Sequence, residues 1–315
     1  MKKNNLLLIF KGIAIGIANV IPAVSGGTIA LITGIYEDLI NCIKKINLQS
    51  LRLIYKLKFL DFAKYTNFKM ILYCGTGVLI GVIFFAKIFE QITKNQYGKL
   101  QLEGLFFGLI LASIYYVGKK IEKWNTKNII AIITGAITAI IISNISINTG
   151  PNTNELYIFI CGTISTCGMI LPGLSGSYIL ILMGNYELLM IDSINYSSIF
   201  ITELIKGSFN NLSFEYVKML LIFAAGSVFG MLFFANIIAW LYKKYKNNTL
   251  SILTGFIIGS LTIIWPWKKI FLVKGVEKYA QFLPTKLSEE NIITFLLIIL
   301  GVTVIYLLEK ANVTK

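Results

Sequence analysis

Residues 21–40 read IPAVSGGTIALITGIYEDLI, and residues 171–190 read LPGLSGSYILILMGNYELLM. A shift of 150 aligns Pro22 with Pro172, Ser25 with Ser175, Gly26 with Gly176 and Ile29 with Ile179. It also aligns Gly34 with Gly184, Tyr36 with Tyr186, Glu37 with Glu187 and Leu39 with Leu189. Eight identities in twenty ungapped positions, most of them not Ile or Leu, exceed what an apolar composition yields by itself. The chain therefore carries an internal repeat. The similarity continues downstream, where Gly77-x-x-x-Gly81-x-x-Phe84-Phe85-Ala86 returns as Gly226-x-x-x-Gly230-x-x-Phe233-Phe234-Ala235. Gly104-x-x-x-Gly108 likewise returns as Gly255-x-x-x-Gly259. Small residues at this spacing let helix backbones approach closely in lipid, so these glycines read as packing positions.

Around the repeat the composition is that of a membrane protein. Of 315 residues, 56% are hydrophobic and 14% charged, with mean hydropathy +0.74. A soluble chain of this length needs more polar surface to cover its core. Apolar runs near the roughly 20 residues that cross a bilayer recur throughout, and no soluble domain fits between them. The expected fold is all-α and integral to the membrane, with repeats over 1–150 and 151–315. The first repeat holds a hairpin at 6–43 and crossings at 69–90, 102–118 and 128–148. The second holds a hairpin at 156–193 and crossings at 217–242, 250–266 and 291–309. Each hairpin is two apolar arms broken at Pro-x-x-Ser-Gly. Arms of about 16–18 residues are short for a crossing, so each hairpin is read as re-entrant. Met1-Lys2-Lys3 and the apolar run behind it have the look of a signal peptide, but the later copy at 156–190 argues that the segment is structural.

Parity sets the symmetry. A re-entrant hairpin plus three crossings is odd, so the second repeat is expected upside down relative to the first. With the N-terminus inside, 18 of the 29 Lys and Arg residues fall in the cytoplasmic pieces, nine outside and two (Lys11 and Lys87) within spans. That bias agrees with the positive-inside rule and places both termini in the cytoplasm of a cell with an inner membrane. Five of the nine outer basic residues belong to a long loop at 267–290. Segments 44–68 and 194–216 read as amphipathic, the first basic and suited to the anionic inner leaflet. The net charge of +14 comes from lysines and a single arginine, Arg52, in short loops. Nucleic-acid binding, which draws on Arg forks and aromatic platforms, is not indicated.

The breaks carry the chemistry. Non-helical backbone cannot face lipid, so residues 21–27 and 171–177 must line protein or a cavity. Pro22 and Pro172 end the first arms by removing a donor. Ser25 and Ser175 stand where N-caps of the second arms belong, with Gly26, Gly27 and Gly176 leaving amides bare. Two helix N-termini held within the membrane make an anion site at the midplane, suited to a phosphate ester. The plainer alternative is that the breaks only let the hairpins turn. Thr28 and Ser177 extend the polar tips, and Asn19 lies one turn before the first break. Lys87 lies within an apolar helix, matched by Asn236, and is either a phosphate counter-charge or a lysine snorkelling to the outer surface. Glu37 and Glu187 are either a proton or sodium relay or interfacial helix caps. Cys42, Cys74, Cys161 and Cys167 lack metal-ligand spacing and no His is present, so no metal, cofactor or disulfide framework is expected.

With Pro22-Ala23-Val24-Ser25-Gly26-Gly27-Thr28 and Gly34-Ile35-Tyr36-Glu37 paired to Leu171-Pro172-Gly173-Leu174-Ser175-Gly176-Ser177 and Gly184-Asn185-Tyr186-Glu187, the chain resembles the PopT-type polyprenyl-phosphate translocases. That family was formerly a domain of unknown function, and the resemblance covers nearly the whole chain. It implies recycling of undecaprenyl phosphate from the outer to the inner leaflet, after cell-wall precursors have been delivered. Asn19 stands where members carry Asp, and Ala23 where they carry Gly. An Asp at position 19 can carry a proton; Asn19 cannot.

Two other classes compete. A transporter or channel for a small soluble anion would also use paired tips. An integral-membrane enzyme such as a lipid phosphatase would need a nucleophile with an acid/base pair, and the chain offers no His and only a loop arginine.

Overall fold

A computed structural model describes residues 2–20, 25–93, 95–144, 150–206, 214–273, 276–286 and 288–313. The first half contains α1 (Lys2–Val20), α2 (Gly26–Ile32), α3 (Tyr36–Lys44), α4 (Leu48–Tyr55), α5 (Phe59–Thr66), α6 (Phe68–Thr93), α7 (Gln96–Gly118) and α8 (Thr126–Asn144). The second contains α9 (Glu155–Ile170), α10 (Gly176–Leu182), a π-helical turn (Glu187–Asp192) and α11 (Ser193–Lys206). It continues with α12 (Phe214–Lys244), α13 (Lys246–Ile264), strands β1 (Lys268–Val273) and β2 (Val276–Gln281), and α14 (Glu289–Val313). Among the described residues five helices are long and apolar enough to cross a membrane, namely α6, α7, α12, α13 and α14. Asn5–Val20, Thr126–Ile142 and Glu155–Ile170 are apolar but shorter. The chain is a helical membrane protein.

The second arms of the hairpins are shorter than the sequence suggests. Instead of running to residues 43 and 193, α2 and α10 have seven residues each. Gly34 and Gly184 end them with φ of +74° and +71°. The Gly34 amide bonds the Leu31 carbonyl at 3.3 Å, and the Ile35 amide bonds Ala30 at 3.0 Å. Gly184 repeats this on Ile181 at 3.0 Å, and Asn185 on Leu180 at 3.1 Å. A left-handed glycine with this bond pair terminates a helix. Tyr36 then opens a separate helix, so Glu37 lies in the first turn of α3 and Glu187 in the π-helical turn, both exposed.

The recurring glycines set the helix pairs. A Cβ on Gly12 would collide with the Cys74 carbonyl, which fixes α1 against α6; one on Gly162 would collide with Phe223, fixing α9 against α12. The remaining pairs cross between the halves. Gly108 of α7 meets the Ile298 backbone of α14, and Gly255 of α13 meets the Ile132 backbone of α8. Each half thus lends its last long helix to the other. One buried cluster joins them, including Ile15, Leu31, Ile32, Phe106, Leu253 and Ile257.

Outward faces are apolar, as lipid contact requires: Leu79, Ile83 and Phe84 on α6, Phe229 and Phe233 on α12, Leu296 and Ile299 on α14. The basic segment 44–68 folds as α4 and α5, which expose Leu48, Leu51, Tyr55 and Leu60 beside Arg52 and Lys64. Segment 194–216 contributes α11, and residues 207–213 lie outside the described residues. The region read as a plain loop at 267–290 instead holds an antiparallel hairpin, with Lys268 opposite Gln281 and Val273 opposite Val276. It is seated by its flanks. The Trp267 indole donates to Asn291 Oδ1 at 2.7 Å, and Gln281 Nε2 donates to the Thr262 carbonyl at 2.6 Å.

Candidate functional site

The two breaks meet. Ser25 takes up the extended N-cap conformation, φ −103° and ψ 129°, and its Oγ accepts the Gly27 amide at 3.2 Å. The same hydroxyl donates across to the Leu171 carbonyl of the other break at 3.1 Å. In return the Gly173 amide donates to Thr28 Oγ1 at 3.0 Å. A Cβ on Gly27 would stand 2.6 Å from the Ile170 carbonyl. Ser25, Gly26, Gly27 and Thr28 are buried, as are Pro172, Ser175 and Gly176; Ser177 is half-buried. Segments separated by half the chain thus form one buried polar junction.

The first tip is not bare. Its Gly26 amide is accepted by Asn19 Oδ1 at 3.0 Å, so the last turn of α1 supplies an acceptor to the start of α2. A side-chain oxygen at a helix start is a neutral stand-in for an anion there. The second tip differs from the sequence expectation. Ser175 holds the N-cap position with φ −111° and ψ 127° but makes no side-chain cap. Its hydroxyl shares a 2.8 Å bond with Ser177 Oγ instead. Hydroxyl pairing to a neighbour two residues on competes with capping, because a serine oxygen cannot reach both partners well. Gly173, at φ +84°, packs so closely that an added Cβ would lie 2.5 Å from the Phe256 backbone of α13.

Of the other expected site residues, Pro22 lies outside the described residues. Lys87 is on α6, and its side chain also lies outside what is described. Glu37 and Glu187 are not at the tips. They sit beyond Gly34 and Gly184, at the far ends of the short arms.

Polar groups outside the expected site close the far ends of the short arms. Lys11 Nζ donates to the Thr33 carbonyl at 2.5 Å, and Lys120 Nζ to the Leu31 carbonyl at 2.7 Å. Two ammonium groups therefore close the C-terminus of α2, where carbonyls lack helical partners and the dipole is negative. Burial pulls the Lys120 pKa down, and Glu309 opposes that shift. The equivalent end of α10 is closed without charge. Tyr157 donates its hydroxyl to the Met183 carbonyl at 2.8 Å, and buried Asn185 exchanges two 2.8 Å bonds with Asn152. A further ion pair, Lys268 with Glu103 at 3.0 Å, ties β1 to α7 and is largely shielded from solvent. Only Lys11 left a sequence signal, as a charge inside an apolar run.

The chain is thus a helical membrane protein whose two helix breaks meet in one buried polar junction. The chain belongs to the undecaprenyl phosphate translocase-like family, whose model matches residues 15–282. It is similar to a polyprenyl-phosphate transporter of Vibrio cholerae, 35% identical over 269 residues, covering 84% of this chain and 79% of that protein. It is also similar to a polyprenyl-phosphate transporter of Staphylococcus aureus, 26% identical over 280 residues, covering 84% of this chain and 88% of that one. No solved structure matches it.

Proposed function

We propose that this chain carries polyprenyl phosphate, in bacteria undecaprenyl phosphate, from the outer to the inner leaflet of the cytoplasmic membrane. The lipid's phosphate is held where the two tips meet, among Ser25, Gly26, Gly27 and Thr28 on one side and Ser175, Gly176 and Ser177 on the other. The observation that carries this reading is the direct bonding between tips, Ser25 to Leu171 and Gly173 to Thr28. A mere turn in each hairpin has no need of a partner from the other half. Amides and hydroxyls that now bond one another are the donors a phosphate oxygen accepts from. Asn19 and Thr28 then act as placeholders, releasing the Gly26 and Gly173 amides when phosphate arrives.

The two repeats are inverted in this reading, each a re-entrant hairpin with three crossings, and both termini are cytoplasmic. The exchange of α8 and α14 between halves interlocks the two repeats around the paired tips. Lys87 supplies counter-charge along the path, and Glu37 and Glu187 carry a coupling proton or sodium ion. The relatives' names support the substrate, and the apolar outer faces support a lipid tail that stays in the bilayer while the phosphate crosses.

The test is binding by purified protein in detergent to undecaprenyl phosphate, inorganic phosphate and undecaprenol. Tight binding is expected only where phosphate and tail are joined. Equal affinity for inorganic phosphate would overturn the lipid reading in favour of a soluble-anion transporter.

A further inference from the structure

Between α3 and the long apolar helix α6 the chain runs through α4 and α5, and only Asn67 separates the end of α5 from the start of α6. The pair is therefore held at the edge of the membrane-spanning bundle. Its own fold is fixed by hydrogen bonds. Asn47 Oδ1 accepts the Ser50 amide at 3.2 Å while Ser50 Oγ accepts the Asn47 amide at 2.9 Å, a reciprocal cap on α4. Asn47 Nδ2 donates to the Tyr65 hydroxyl at 2.9 Å, which ties the start of α4 to α5. Ser50 is fully buried and marks the inner face of α4. Leu48, Leu51, Arg52 and Tyr55 lie on the opposite face, at the i, i+3, i+4, i+7 spacing, and all are exposed, Tyr55 to 89%. An apolar stripe and a basic side chain thus share one outward face.

The turn after α4 carries a second sign. The Lys58 amide bonds the Leu53 carbonyl at 2.9 Å, and the Leu57 amide bonds Ile54 at 2.8 Å. This bond pair ends a helix and ordinarily has glycine at its left-handed position. Here that position, at φ +56°, holds Leu57, whose side chain is 74% exposed. A leucine gains nothing from water in a conformation it rarely adopts, so the position implies a use for its side chain outside the chain's own core. In an acyl layer it gains the burial that glycine cannot. The bases say which lipid. Between residues 46 and 67, Arg52, Lys56, Lys58 and Lys64 stand exposed against a single acid, Asp61. The matching stretch of the second repeat, 194–216, also exposes apolar side chains, Ile194, Tyr196 and Ile199 of α11, but carries Glu203 and Glu215 against Lys206. Apolar contact needs no basic residues, and only the first repeat has them in excess.

We propose that α4 and α5 anchor the first repeat, and not the second, to anionic phospholipid. Leu48, Leu51, Tyr55 and Leu57 enter the acyl layer, while Arg52, Lys56, Lys58 and Lys64 reach the headgroup phosphates of a lipid such as phosphatidylglycerol. The anchor continues into α6, which is packed on α1 at Gly12, and α1 supplies the Asn19 that closes the first tip. One tip is thereby held to a charged leaflet through rigid helices. This inference rests on the chain's place in the membrane and not on what it carries.

The test labels Tyr55→Cys with bimane in nanodiscs of mixed phosphatidylcholine and phosphatidylglycerol, where only one of the two lipids carries brominated acyl chains. Wild type, whose cysteines are buried or half-buried, gives the labelling background. Brominated phosphatidylglycerol should quench the label at least about twofold more than the same amount of brominated phosphatidylcholine. A label at Ile199→Cys on α11 should be quenched equally by both. Arg52→Gln, Lys56→Gln, Lys58→Gln and Lys64→Gln together should abolish the preference at position 55. Leu57→Gly keeps the turn, which glycine suits better, so thermal unfolding should not fall while quenching by both lipids drops. No quenching at position 55, or equal quenching by the two lipids, overturns the anchor. A preference as strong at Ile199→Cys, or one that survives loss of the four bases, overturns it too. Unchanged quenching in Leu57→Gly overturns the part given to Leu57.

Discussion

The two broken hairpins share one motif and are finished differently. The first is closed by cations at its far end, Lys11 on Thr33 and Lys120 on Leu31, and by Asn19 and Ser25 at its tip. The second is closed by neutral groups, Tyr157 and Asn185, and its tip serine turns away to Ser177. The first tip has its Gly26 and Gly27 amides taken by Asn19 and Ser25 of its own half, while the second lacks a serine cap and has Gly173 bonded to Thr28 and wedged against α13. A single repeated motif specifies where the chain breaks. The partners around it decide how each break is capped and closed.

Substitutions that should sharpen or break this contrast follow from the largest effect to the smallest. Gly173→Ala places a Cβ into backbone at positive φ and should destabilise by about 3 kcal/mol or more. Gly34→Ala, also at positive φ but with open space around it, should cost only about 1 kcal/mol. Thermal unfolding in detergent compares them, and equal losses would deny that close packing against α13 holds the second tip. Lys11→Met should remove about 2 kcal/mol by taking away a charged donor, against about 1 kcal/mol for Tyr157→Phe. Reversal of that order would dissolve the distinction between charged and neutral ends.

Thr28→Val leaves the buried Gly173 amide without its acceptor and should cost about 1–2 kcal/mol. Ser177→Ala, which strands no backbone donor seen in the tip contact, should stay within about 0.5 kcal/mol. The smallest difference concerns the caps. Ser25→Ala should lose about 1 kcal/mol and Ser175→Ala less, because only Ser25 caps its helix. Equal losses for the two serines would mean the tips are not different.

Much of this was legible in the sequence, and the rest was hidden for physical reasons. Pro, Ser and Gly at a fixed shift announced the breaks, because only a few residue types can start and stop a helix in lipid. Ser25 as a cap was readable from its place after the proline. Gly34 and Gly184 were visible too, yet within an apolar run a lone glycine looks like helix interior. Its role as a terminator depends on positive φ. The spaced glycines foretold close packing but not that α7 meets α14 and α8 meets α13, since a small residue names no partner. Lys120, Glu103 and Lys268 were unremarkable as sequence. Their partners, carbonyls or a distant side chain, are set by the tertiary fold alone.

The most direct measurement is a cryo-electron-microscopy structure of the protein in lipid nanodiscs with undecaprenyl phosphate bound. The account predicts phosphate density between residues 25–28 and 175–177, with the Gly26 amide released from Asn19 and the Gly173 amide from Thr28. Tips still bonded to each other, with the lipid phosphate found only elsewhere, would contradict it.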